Sequence, residues 1–316
     1  MGKLKAGMAS SHAFAVTDPS QWDQMRTNNR RSYEKNYGVL PPDHPRVAEE
    51  SDDDVRKRYG VIEHGFGQLR AKLEEIQPDA IVMVADDQNE NFTDTIIPQF
   101  AIYIGDDFIA GRLVNEGWLT KSNAQLAEAL AFGLAEADVD ISVIRELPNH
   151  RLFAHAFGPV LKVVDPEAKI PVVPIFVNAI HMPATSPHRC YYVGQVIRKV
   201  VEEFEGVERV VVYGSGGLSH FTAGYPWKHY EGPFGYGSIS EEFDHNIIEK
   251  MKAGRGEELA KLTIQDLIAH GEIELRSWIS VLGAIGSAKP DLMVYEPLYR
   301  GVMGMAVASW PVAEAA

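Results

Sequence analysis

The sequence predicts an α/β fold: one large domain around a mostly parallel β-sheet flanked by helices. Three observations lead there. Short apolar or β-branched runs over residues 81–85, 170–177 and 210–213 read as strands buried on both faces. Stretches with helical recurrence of apolar residues lie between them, so strand and helix alternate as they do around parallel sheets. No internal repeat or low-complexity linker divides the 316 residues, a length that one large domain can fill.

In chain order, residues 4–10 read as a short strand ending at Ser10-Ser11-His12. Residues 16–58 are polar, with turn signals at Asp18-Pro19 and Pro41-Pro42 and an acidic run over 49–54. They read as an insertion, with some helix over 22–33, that is a lid, an interface or plain solvated surface. Over 61–76, Val61, Phe66, Leu69, Leu73 and Ile76 recur at helical spacing. The strand at 81–85 ends in Asp86-Asp87-Gln88-Asn89-Glu90-Asn91, which are either ligands or a solvated turn. An Ala- and Leu-rich helix over 124–137 and a strand over 139–145 precede a loop carrying His150 and His155. The strand at 170–177 ends at Asn178, and a helix over 194–204 feeds the strand at 210.

Gly214, Gly216 and Gly217 break that last strand and carry Ser219 and His220 past its carboxyl end, the edge where open α/β sheets bind ligands. The turn fits neither the P-loop nor the dinucleotide spacing. Gly-x-Ser-x-Gly fails at both Ser215 and Ser219, so it is no nucleophile elbow. Residues 221–240 form a second insertion, aromatic and glycine-rich, that reads as a pocket wall or lid; its Tyr225, Trp227 and Tyr230 either face a bound ligand or pack together as a folded lid. Short helices are expected over 240–251 and 257–262 and a longer helical stretch over 264–283. Within it, Glu274 sits among apolar neighbours, where an unpaired carboxylate is costly.

The formal charge of −14 disfavours nucleic acid as a partner. No apolar run reaches membrane-spanning length and no secretory h-region follows the first residues, so a cytoplasmic location without membrane attachment is expected. One cysteine excludes an internal disulfide and any Cys-rich metal site; Cys190 reads as a semi-buried structural residue, with a catalytic thiol as the alternative. What remains is histidine and carboxylate chemistry. His220 is read as an acid/base group facing a metal site, with His12 and His155 after other strand ends and Glu274 on a late helix. A histidine and a carboxylate on one face of an iron are two-thirds of the facial triad of non-haem Fe(II) oxygenases.

These positions recur in order with further segments: Ile96-Ile97-Pro98-Gln99-Phe100-Ala101-Ile102, His155-Ala156-Phe157-Gly158-Pro159-Val160-Leu161, Pro174-Ile175-Phe176-Val177-Asn178, Arg189-Cys190, Gly214 to His220, Glu242-Phe243-Asp244, and Glu274-Leu275 before Trp278. In this the chain resembles the class III extradiol ring-cleavage dioxygenases, the family that includes the catalytic β subunit of protocatechuate 4,5-dioxygenase. The resemblance implies an iron-dependent enzyme that opens a catechol-type ring with O2, acting on a small aromatic that is carboxylated or methoxylated. It implies His12 and Glu274 as iron ligands, His220 as the acid/base histidine and His155 as a second pocket histidine. Where the family carries Asn-Asp-His after the second strand, this chain has Asp86-Asp87-Gln88, which aligns the second histidine ligand with Gln88. Gln88 through its carbonyl, a neighbour such as Asp87 or Glu90, and His64 more distantly are the substitutes to weigh. Arg189 and Arg300 are the cations available for a substrate carboxylate. The alternatives are a family member with an altered or lost iron site, working as a hydrolytic or isomerising enzyme, and a non-catalytic partner subunit. A homo-oligomer is expected.

Overall fold

Alternating strand and helix resolve, in the computed structural model of the chain, into an eight-stranded sheet covered by helices on both faces. The structure describes residues 3–110, 117–147 and 153–313; His150 lies outside the described residues. The strands are β1 (Leu4–Ser10), β2 (Ala80–Ala85), β3 (Phe100–Tyr103), β4 (Asp107–Ala110), β5 (Trp118–Lys121), β6 (Ile141–Ile144), β7 (Val172–Val177), β8 (Val210–Ser215), β9 (Leu292–Leu298) and β10 (Met303–Pro311). Sheet order is β6-β3-β7-β2-β8-β1-β10-β9, with β4 and β5 forming a separate pair. The central strands β7, β2, β8 and β1 are mutually parallel, β6 runs parallel to β3, and β3 and the β9–β10 hairpin join antiparallel.

The period of two along each strand splits the core. Ala80, Val82 and Val84 of β2 and Val210 and Val212 of β8 face one apolar cluster; Ile81, Met83, Ala85, Val211 and Tyr213 face the other. The first cluster is completed by α3 (Ala124–Glu136), α5 (Pro187–Glu203), α6 (Glu241–Lys252), α7 (Ile264–His270) and α8 (Leu275–Ile285). The second is completed by α1 (Trp22–Tyr37), α2 (Asp52–Ile76) and α4 (Gly158–Val164). Helices α5 and α8 approach backbone to backbone: a Cβ at Gly194 would stand 1.9 Å from Ser280 O, and one at Gly283 2.0 Å from Tyr191 O. Only glycine admits that crossing.

Several elements depart from the sequence reading. Helix α2 begins nine residues before the expected 61, because the acidic run is its first turn: Ser51 caps Asp54 N–H, and Asp52, Asp53 and Asp54 sit where the helix dipole favours them. Its buried stripe is Val55, Ile62, Phe66, Leu69 and Leu73, while Val61 is exposed. The single helix expected over 264–283 is two, broken where Gly271 takes φ +68 to end α7. Glu274 therefore stands at the start of α8, not within a helix. The β9–β10 hairpin, with Pro297 inside β9, gave no expected strand, yet it closes the sheet beside β1. No helix among the described residues is long and apolar enough to cross a membrane.

Candidate metal centre and active site

Because β1, β2 and β8 are parallel neighbours, their carboxyl ends open on one edge of the sheet. His12 lies two residues past β1, Asp86 directly follows β2, and the glycine turn leaves β8. The start of α8 meets them there. Gly216 has φ +130, and a Cβ on it would stand 2.7 Å from Glu274 Cβ, so this close pass requires glycine. Trp278 Nε1–H donates to Gly216 O (2.7 Å), Ser277 Oγ–H to Ser215 O (3.0 Å), and Gly217 N–H to Glu274 Oε2 (2.8 Å). Turn and helix start thus hold each other, and they aim the Glu274 carboxylate inward.

Glu274 Oε1 is the hub. It lies 3.6 Å from His12 Nε2 and 3.5 Å from His220 Nε2, and accepts a hydrogen bond from Gln88 Nε2 (2.5 Å). The tautomer of His12 follows from its neighbour. Ser215 commits its only hydroxyl proton to Ala156 O (2.6 Å), so His12 Nδ1–H must donate to Ser215 Oγ (3.3 Å) and Nε2 keeps its lone pair toward Glu274. Burial lowers His12 to about 4 against the opposing charge of Glu274, which leaves the imidazole neutral at neutral pH; the 3.6 Å approach is therefore no ion pair. Burial also pushes Glu274 up, but His12 and His220, both charged in the acid range where Glu274 would take a proton, and the Gly217 N–H hold it well below the usual carboxylate range. His220 donates Nδ1–H to Leu218 O (2.7 Å), which turns Nε2 toward Glu274. Burial lowers His220, yet Glu274 and the Leu218 carbonyl outweigh it and raise it to about 9.

The residues after β2 divide sharply. Asp87 accepts from the backbone of Glu90, Asn91 and Phe92 and from Asn91 Nδ2, all at 3.0–3.1 Å, and so builds the turn. Glu90 accepts from the backbone N–H of His155 (3.0 Å) and pairs closely with its Nδ1. Burial opposes both ionised forms, but the pair prevails, holding Glu90 at about 2 and raising His155 to about 9. His155 stands edge-on to His12 with ring centroids 4.8 Å apart. His64 is exposed on α2, away from the cluster. The sequence reading named Asp86 only within the run after β2 and singled out Gln88, Asp87 and Glu90 instead. The Asp86 carboxylate is 1% exposed, and among the described residues neither oxygen makes a hydrogen bond of ordinary geometry, although the Gln88 amide stands near. Burial and the charge of Glu274 push Asp86 well above the usual range. His12, Asp86 and Glu274 offer ligand atoms within 4.8 Å of one another. A neutral imidazole with two inward carboxylates, one of them orphaned, fits a divalent first-row cation.

A cavity of about 680 Å³ opens onto this cluster. His12, Gln88, His155, His220 and Glu274 form its floor, and Asn28, Asn29, Ser32 and Asn36 of α1 form the facing wall, so the first insertion borders the site. From the second insertion only Thr222, Ala223 and Gly224 line it. Tyr225, Trp227 and Tyr230 instead pack on Phe221, Ile268 and Ile273 in a satellite cluster, so they are a folded support and not a stacking wall. Arg189 reaches Asp140 and Arg300 pairs with Asp52 and Asp23; neither lines the cavity. Cys190 is fully buried against α8 and burial pushes its thiol up to about 12, which removes it as a nucleophile.

Residues 44–308 match the family model described as the catalytic LigB subunit of aromatic ring-opening dioxygenase. Three similar curated proteins are each named 2,3-dihydroxyphenylpropionate/2,3-dihydroxicinnamic acid 1,2-dioxygenase. That of Comamonas testosteroni is 30% identical over 163 residues, 51% of this chain and 49% of the relative. That of Klebsiella pneumoniae is 28% identical over 155 residues, 49% and 48% of the two chains. That of Escherichia coli is 28% identical over 173 residues, 55% and 51%. The chain thus spans about half the length of the curated relatives it matches. A solved structure of an uncharacterized protein from Escherichia coli K12 aligns with TM-score 0.49 at 13% identity, over 96% of this chain and 99% of that one.

Proposed function

The chain belongs to the family of the catalytic LigB subunit of aromatic ring-opening dioxygenases, and we propose that it is a non-haem Fe(II)-dependent extradiol dioxygenase that opens a catechol-type ring with O2. The observation that carries the reading is the convergence on Glu274 Oε1 of His12 Nε2 at 3.6 Å and His220 Nε2 at 3.5 Å, on the floor of a cavity large enough for a substituted ring. His12 and Glu274 would hold the metal, with an oxygen donor from the residues after β2. Iron(II) there would supply a redox-active Lewis acid through which both atoms of O2 reach the ring.

The rest is the work of this chain's side chains. His220 moves the proton: with Nδ1–H fixed on Leu218 O, only Nε2 can accept a phenolic proton, and the same atom returns it to a departing oxygen later. Glu274 keeps His220 charged only while its own charge is uncompensated; once that carboxylate is shared with a cation, Nε2 is free to accept. His155, held cationic by Glu90, donates a hydrogen bond to an oxygen of the substrate or of O2. The chain, residues 1–316, acts as one catalytic domain in a cytoplasmic homo-oligomer, and the insertion near 16–58 shapes its cavity.

The test is to load purified protein with Fe(II) under anaerobic conditions, then follow oxygen uptake and ring-opened product on adding catechols in air-saturated buffer. Uptake matched to product is expected, with His220→Gln lowering turnover by at least about 100-fold while iron content holds. Undiminished turnover in His220→Gln would remove that residue from the mechanism, and no uptake by iron-loaded protein with any catechol would sink the oxygenase reading.

A further inference from the structure

Where the family's pattern has a histidine, Gln88 is already spent: its amide nitrogen donates to Glu274 Oε1 (2.5 Å). That bond orients the carboxylate, which is a positioning task. Two residues earlier stands a group with no task inside the protein. Asp86 is sealed from solvent, and among the described residues neither of its oxygens has a hydrogen bond of ordinary geometry or an ion pair within 4.0 Å, although the Gln88 amide stands near. Arg276, the buried guanidinium in its surroundings, is instead bound to Thr185 O and Ile273 O. A buried carboxylate without partners is among the costliest arrangements a core can hold, and proteins retain one where a cation completes it.

We infer that Asp86 is the third protein ligand, so that His12, Asp86 and Glu274 form a one-histidine, two-carboxylate site for a divalent cation. The inference rests on the reading of this edge as a metal centre, and it refines which residues build it. The ligand atoms of the three lie within 4.8 Å of one another, which one ion can bridge. They come from the ends of β1 and β2, the two strands that flank β8, and from the start of α8, so the backbone holds them rigidly. Two consequences follow from the donors. Two carboxylates and a neutral imidazole balance a divalent charge, whereas two imidazoles and one carboxylate leave a net positive centre. The oxygen-rich set also favours hard or borderline cations, Mn(II) and Fe(II), over softer ones. Gln88 then acts through Glu274 without touching the ion.

The experiment uses the full chain, stripped of metal and titrated anaerobically with Mn(II) (followed by loss of the EPR signal of free Mn(II)) and with Fe(II) by calorimetry. Wild type is expected to bind one equivalent of either. Asp86→Asn should weaken binding by more than about 100-fold, and Gln88→Ala, which removes only an orienting bond, by about 10-fold. Melting of the metal-free proteins separates a ligand from a structural anchor. Asp86→Asn should melt at or above the wild-type temperature, because a buried carboxyl without a hydrogen bond of ordinary geometry is gone, and should lose the rise that Mn(II) gives wild type. Unweakened binding by Asp86→Asn, or a larger loss in Gln88→Ala, overturns the assignment of Asp86 while leaving the metal centre standing. Absence of binding in wild type overturns both. A measurement on wild type covers the case in which Asp86→Asn does not fold: with ¹³C-labelled aspartate, Mn(II) must shift an aspartate carboxylate infrared band, and an unmoved band overturns the inference.

Discussion

Glu90→Gln tests the electrostatics of the cavity floor in isolation, because it removes a charge and almost no volume. In the metal-free protein burial would lower His155, but Glu90, with smaller contributions from Asp86 and Glu274, raises it from 6.5 to about 9. At about 1.4 kcal/mol per tenfold change in proton affinity, that pairing is worth at most about 3 kcal/mol. Both side chains keep some contact with water, 18% for His155 and 31% for Glu90, so screening reduces the expected value to about 1–2 kcal/mol. The sign follows from the direction of each shift. His155 binds its proton more tightly when folded, so its contribution is complete below pH 6.5 and is lost as pH rises toward 9. Glu90 is depressed to about 2, so its contribution is present above pH 4.5 and is lost on acidification toward 2. The pair therefore stabilises most between pH 4.5 and 6.5. Urea unfolding of metal-stripped wild type and Glu90→Gln should differ by about 1–2 kcal/mol at pH 6 and by much less at pH 9.5, where His155 has lost its charge and the bonds from the backbone of Gln88 and His155 remain. An equal gap at the two pH values, or an NMR titration placing His155 near 6.5 in wild type, would refute the pairing.

Two further outcomes follow from neighbouring geometry. Ser215→Ala removes the acceptor that sets the His12 tautomer and should weaken Mn(II) binding by about 10- to 100-fold, read by EPR titration, with little change in the far-UV spectrum. Cys190, buried and pushed up to about 12, should resist thiol reagents at pH 8 in the native protein and react fully once it is unfolded in urea.

The strands at 81–85 and 210–213 were legible because a run buried on both faces must be largely apolar, and residues 80–85 and 210–212 are wholly so. Helix α2 was only half legible. Its first turns are charged because they face solvent, and a charged stretch reads equally as helix or loop. The split between α7 and α8 was hidden because Glu272, Ile273 and Glu274 continue a helical pattern while Gly271 turns the chain. The aromatic segment stayed open between a stacking wall and a folded lid for a related reason. Composition shows that rings occur together, but not that Tyr225 and Trp227 turn toward Phe221 and away from the cavity.

His12, His155, His220 and Glu274 were readable because each follows a strand end or breaks an apolar run, and their order matches a family pattern. Taken alone, then, the chain's letters dictate the alternating architecture, the edge of the sheet where histidines and carboxylates converge and four of the polar groups gathered there. The choice among Asp86, Asp87, Gln88 and Glu90 was not theirs to make. All four are polar residues in one short turn, and their different tasks depend on partners far away in sequence: Glu274 for Gln88, His155 for Glu90, and no hydrogen bond for Asp86. Such assignments arise only when β1, β2, β8 and α8 are packed together, because a carboxylate's role is set by what the fold places within a few ångströms of it.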